Sequence, residues 1–187
     1  MLAFLTAVLV PLAVTNFLTI SETKKFATNA FENSFYNEVK QIENGVSMMF
    51  DLYRQNVSLL SESPLLFEAH HQLTQYLDAP ASQMNPDEAG GFETQLYNEF
   101  AKLASHYKNL NYIYFGTSQG AYLQWPKGPI NANYDPRKRP WYQAALAANG
   151  KIVRVPAYFW EPDNATVIST VKQLNDANGD HFGVLGV

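Results

Sequence analysis

Residues 2–20 (LAFLTAVLVPLAVTNFLTI) are uncharged, and fourteen of the nineteen are Ala, Val, Leu, Ile or Phe. A helix of that length crosses the ~30 Å hydrocarbon core of a bilayer. Pro11 and the threonines are tolerated in a spanning helix, and Asn16 falls towards one end of it. A cleaved signal peptide calls for basic residues ahead of the apolar run and a small-x-small site after it. Neither is present, so an uncleaved transmembrane anchor over residues 1–20 is expected. The pattern then changes. Phe31, Phe35, Val39, Ile42, Val46, Met49, Tyr53, Val57 and Leu60 recur at steps of three or four residues. That spacing predicts one buried stripe on a long stalk helix over residues 21–61. Forty residues at 1.5 Å each project ~60 Å.

Ser61-Glu-Ser-Pro64 breaks the pattern and starts a shorter helix over 64–76. The segment DAPASQMNPDEAGG (78–91) reads as loop, and 92–107 as a further helix. The second half reads as a sheet. NYIYF (111–115) is a strand, Gly116–Gly120 a hairpin turn, and 121–125 the returning strand. A loop over 127–134 leads to a helix over 140–148, stopped by Asn149-Gly150. A strand over 152–155 follows, and 165–174 and 182–187 pair around Asn175–Asp180. The fold class expected is α+β: anchor, long helix, then an antiparallel sheet with flanking helices over 62–187.

Composition removes several functions. Cysteine is absent, which excludes a disulfide scaffold, a Cys-ligated zinc site and a cysteine nucleophile. The net charge of −4 gives no nucleic-acid-binding surface. His70, His71, His106 and His181 lack metal-ligand spacing, and neither a Gly-rich phosphate loop nor a nucleophile elbow occurs. Asp176, Asn178 and Asp180 alternate like the start of a calcium loop, but His181 stands where the turn glycine is needed, so a hairpin turn is the better reading. No catalytic residue, metal or cofactor is expected. Aromatics are abundant, and eight of the eleven Tyr fall between Tyr97 and Tyr158.

The candidate chemistry lies in Tyr134-Asp-Pro-Arg-Lys-Arg-Pro-Trp-Tyr142. Pro136 and Pro140 fix the backbone and preorganise what they carry. An arginine offers a bidentate fork to a carboxylate, and Trp and Tyr donate to the same oxygens while their rings exclude water. These are the requirements of a small-anion pocket. The competing reading is that Trp and Tyr plug the core while an Arg caps a loop.

This run, with GAYLQWP (120–126) before it and FGVLGV (182–187) after it, resembles the double-Cache sensor domain of bacterial chemoreceptors, sensor histidine kinases and some cyclic-di-GMP enzymes. The resemblance implies a long helix and stacked PAS-like modules, of which residues 62–187 are most of the membrane-distal one. It implies that Arg139 and Trp141 hold a ligand carboxylate, with Tyr134 and Tyr142 nearby. It also implies an ammonium site at Tyr158-Phe159-Trp160, where Tyr158 fits and Trp160 replaces the expected acid. Glu161 or Asp163 is a candidate substitute, and Trp160 can instead face a methylated amine through cation–π attraction.

The functional expectation is the ligand-sensing region of a transmembrane chemoreceptor of the bacterial inner membrane, facing the periplasm. It binds a small carboxylate or amine metabolite and forms a homodimer through the stalk helix. Two alternatives stay open. The same sensor can drive a histidine kinase or diguanylate cyclase, or the domain can be a dimerisation or partner-binding module with no small ligand.

Overall fold

The computed structural model describes residues 2–107, 110–160 and 163–187, with only the backbone described at 2–4 and 6. The chain divides into two compact units, Met1–Met49 and Phe50–Val187.

A single helix, α1, runs Leu2–Ser61. Among the described residues no helix is long and apolar enough to cross a membrane, so the anchor expected over residues 1–20 finds no support there. The expected stripe divides as well. Val57 and Leu60 are core residues, but Phe31, Phe35, Val39, Ile42, Val46 and Met49 are exposed. Helical spacing sets the stripe; burial follows only where the chain supplies a partner surface.

The second unit opens with α2 (Pro64–Ala69), capped by Ser63, whose hydroxyl accepts from the Leu65 N–H. α2 is shorter than its composition predicts. Its last turn closes early, with the His70 ring nitrogen on the Phe67 carbonyl, and the following segment is held from a distance. The buried Glu93 carboxylate accepts from the Thr74 N–H at 2.7 Å and from its hydroxyl, and Gln75 bridges to Ala121. The expected loop 78–91 contains β1 (Ser82–Gln83) and α3 (Pro86–Ala89), and α4 spans Gly91–Ala104.

β2 (Ile113–Thr117) and β3 (Tyr122–Trp125) form the expected hairpin. β4 (Pro129–Ile130) pairs with β1, and a 3-10 turn, Pro136–Lys138, leads into α5 (Pro140–Ala147). β5 is Val153–Arg154 and β6 is Tyr158–Trp160. The strand expected over 165–174 is broken into β7 (Ala165–Val167), which pairs with β6, and β8 (Thr170–Asn175), which pairs with β9 (His181–Gly186). The main sheet is antiparallel, in the order β3-β2-β9-β8-β5. The β8–β9 turn closes through Asp176, whose Oδ1 accepts from the Asn178 and Asp180 N–H groups, with Gly179 at φ 90°.

Register sets the two faces of this sheet. Tyr114 stands opposite Gln124 and Gly186, and Gly116 opposite Tyr122 and Val184, so these share one face. That face receives α5: Trp141 packs 4.7 Å from Tyr114 and 6.2 Å from Tyr122, centroid to centroid. Gly116 permits the approach, because a Cβ there would sit 2.9 Å from both Pro136 Cβ and Trp141 Cη2. Ile113, Phe115, Leu123 and Leu185 alternate onto the other face and are fully buried.

Candidate ligand-binding site

The run 134–142 contributes to the site because its backbone is fixed at three points. Asp135 caps the 3-10 turn by accepting from the Arg137 N–H, Pro136 starts that turn, and Pro140 starts α5. Arg137 folds back on Asp135, with Nε 2.8 Å from Oδ1 and Nη2 3.0 Å from Oδ2, and this pairing holds the Asp135 carboxyl below its ordinary range. Arg139, two residues on, has no such partner. No carboxylate lies within ion-pair distance of it among the described residues. Its guanidinium carbon sits 4.5 Å above the Tyr134 ring centroid, and its Nε is buried without a hydrogen-bond partner.

Arg139 opens onto a cavity of about 410 Å³. Of the six residues named from the sequence, Tyr134, Arg139, Trp141, Tyr158 and Trp160 line it. Tyr142 does not. It follows Trp141 by about 100° of helical rotation, and its hydroxyl meets His181 Nε2 at 2.8 Å behind the cavity wall. Tyr134 and Trp141 are almost wholly buried, whereas Tyr158 and Trp160 are half-buried on one face of β6 and Phe159 is exposed at the rim.

The walls combine aromatic surface with unused polar atoms. Tyr134 Oη, Arg139 Nε and Trp160 Nε1 are buried and unpartnered. Burial pushes the Tyr134 hydroxyl up to about 12, against the opposing pull of the Arg139 charge. Burial also raises Tyr158, whose hydroxyl is 2.9 Å from Ser169 Oγ. A guanidinium whose buried Nε–H is unsatisfied, beside the unpaired Tyr134 hydroxyl, has the chemistry to take a carboxylate. The cavity contains no described acid for an ammonium. Asp163 is exposed and takes the Tyr112 hydroxyl at 2.7 and 2.8 Å, while Glu161 lies outside the described residues. Among the described residues no cluster of three metal-ligating side chains occurs.

Sequence reasoning missed Gln124, Ile130, Asn131 and Phe159 as lining residues. Gln124 had a signal in the period of two that puts it beside Tyr122 on β3. Its Oε1 accepts from the Tyr122 hydroxyl at 2.9 Å, and its Nε2 donates to the Pro126 carbonyl at 3.0 Å.

No family model matches the chain. Over 87 residues, 46% of this chain, it is 36% identical to the methyl-accepting chemotaxis protein McpB of Bacillus subtilis. Over 75 residues, 40% of this chain, it is 35% identical to the methyl-accepting chemotaxis protein PctB of Pseudomonas aeruginosa. The matched regions span only 13% and 12% of those proteins. The sensory domain of the Campylobacter jejuni chemoreceptor Tlp3, solved with isoleucine bound, shares the fold. Its TM-score is 0.51 at 22% identity, covering 86% of this chain and 60% of that one. The chain is therefore homologous to methyl-accepting chemotaxis proteins, and its sheet and helices have the fold of a Cache-type chemoreceptor sensory domain.

Proposed function

We propose that this chain is the ligand-sensing region of a bacterial chemotaxis receptor and that its cavity binds a small carboxylate, amino acids included. The observation that carries the reading is Arg139: a guanidinium stacked on a buried Tyr, with a buried Nε that nothing satisfies, at the wall of a cavity of about 410 Å³. A ligand carboxylate would take that Nε–H and the free guanidinium edge, with Trp141 and Tyr134 excluding water from the pair. Relatives named as chemotaxis proteins favour that output over a kinase or cyclase, and the Tlp3 domain of the same fold holds isoleucine.

Signalling then requires that the ligand bind one arrangement of α5 on the sheet better than another. In this reading the receptor is tethered at the membrane with the cavity in the periplasm. The exposed stripe from Phe31 to Met49 pairs two copies, a step that sedimentation of Phe35→Glu against the parent chain would test.

The decisive experiment is calorimetric titration with amino acids and organic acids. Arg139→Ala should weaken any carboxylate ligand by about 1.5–3 kcal/mol, ten- to a hundredfold or more. Arg137→Ala should leave affinity unchanged. Equal affinity in Arg139→Ala and the parent chain would refute the site.

A further inference from the structure

The part of the lining that β6 supplies has its own chemistry. Tyr158, Phe159 and Trp160 follow one another along β6, so that with Tyr134 and Trp141 five aromatic rings line the space. Arg139 is the one charged side chain among the described lining residues. On the wall supplied by β6 the side-chain oxygen is already engaged, the Tyr158 hydroxyl lying 2.9 Å from Ser169 Oγ. Asp163, the described carboxylate that follows β6, is held outside by Tyr112.

A primary ammonium entering this wall brings three N–H donors that need acceptors, and burying them unpaired is costly. A fully methylated nitrogen carries the same charge with no donor. Its weakly hydrated surface is what aromatic faces attract, as in cages that recognise quaternary ammonium groups.

We propose that the ligand is a betaine-type zwitterion, with a carboxylate on Arg139 and a methylated ammonium against the wall formed by Tyr158 and Trp160. This rests on the reading of the same cavity as a carboxylate site. Charge supports the pairing: among the described lining residues one fixed cation, Arg139, is there to neutralise the carboxylate, and aromatic quadrupoles are there to meet the cation. Trp160, standing where the resemblance leads one to expect an acid, is then the specificity-determining residue.

The test is calorimetric titration of the chain with glycine, N-methylglycine, N,N-dimethylglycine and N,N,N-trimethylglycine, and with choline as a quaternary amine lacking the carboxylate. Affinity should rise with each methyl, trimethylglycine binding at least about tenfold tighter than glycine. Choline should bind more weakly than trimethylglycine, and Arg139→Ala should remove the difference between the two. Trp160→Leu should reduce the trimethylglycine-to-glycine ratio towards one. Where that variant folds poorly, the methylation series on the parent chain is sufficient to decide. Glycine or another unmethylated amino acid binding as tightly as trimethylglycine, and losing affinity in Arg139→Ala, would overturn the betaine inference and leave the carboxylate site standing. Absence of Arg139-dependent binding by any of these, or by the amino and organic acids, would overturn both.

Discussion

Tyr134, Arg139 and Trp141 enter the cavity from a segment pinned by Pro136 and Pro140 and backed by the five-stranded sheet, whereas Tyr158, Phe159 and Trp160 enter from a three-residue strand that, among the described residues, pairs with β7 in a two-stranded sheet of its own. Trp141 is 1% exposed and Tyr134 4%, while Phe159 is 60% exposed. The first end is part of the core, so its geometry is set by folding itself. The second is a small hairpin outside the main sheet, where side chains change at little cost to the fold. Under the proposed function, one end supplies an anchor that most substitutions would destroy along with the protein. The other supplies a wall on which specificity can vary.

The comparison breaks most easily at Trp141. Trp141→Ala should cost about 3–5 kcal/mol of stability in urea denaturation, the range for deleting a fully buried large aromatic side chain. Phe159→Ala should stay within about 0.5 kcal/mol. Similar costs at both positions would mean that the β6 wall is as integral to the core as the α5 end. Gly116→Ala should cost less than Trp141→Ala, about 1–3 kcal/mol, because its Cβ would push on Pro136 and Trp141 from beneath. It should also weaken ligand binding by displacing the helix that carries Trp141, which titration of the folded variant checks.

The same contrast governs what can be read from the amino acids. The anchored end is legible because its signals are local. Two prolines, a capping Asp and an aromatic pair within nine residues locate Arg139 and Trp141 at the start of a helix. Proximity in sequence assigns Tyr142 to the site as well, although helical rotation alone turns it away from Trp141. β6 and β7 are not legible as paired strands, since three residues each give too short an alternation to register. The break between β7 and β8 is likewise set by pairing partners distant in sequence. The early end of α2 depends on Glu93, nineteen residues beyond Thr74, which no local pattern reports. The exposure of Phe31 through Met49 illustrates the same limit, because periodicity identifies a face and not what covers it.

Tyr158→Phe sharpens the comparison at the hairpin end. It deletes the hydroxyl 2.9 Å from Ser169 Oγ and leaves the ring in place, so stability should fall by about 0.5–1.5 kcal/mol. If the betaine reading holds, trimethylglycine affinity should change little, because the ring face and not the hydroxyl meets the cation. A large loss of affinity would assign the hydroxyl to the ligand instead.

The smallest effect belongs to the back of the anchored end, where His181 accepts the Tyr142 hydroxyl at Nε2 and donates Nδ1–H to the Leu174 carbonyl at 3.2 Å. Burial lowers the His181 pKa below its ordinary 6.5, with the Leu174 hydrogen bond opposing the shift. The folded chain therefore holds the imidazole neutral at pH values where the unfolded chain begins to bind a proton. The sign follows: this contribution to stability is complete above the unfolded value of 6.5 and is lost as pH falls below it. Protonation would also convert Nε2 from acceptor to donor and force the Tyr142 hydroxyl to turn, which disturbs α5 beside Trp141. Thermal midpoints measured from about pH 7.5 down to about pH 5.5 should decline in the parent chain and decline less in His181→Gln. An equal slope in both would place the pH response elsewhere and separate the rear of α5 from the stability of the anchored end.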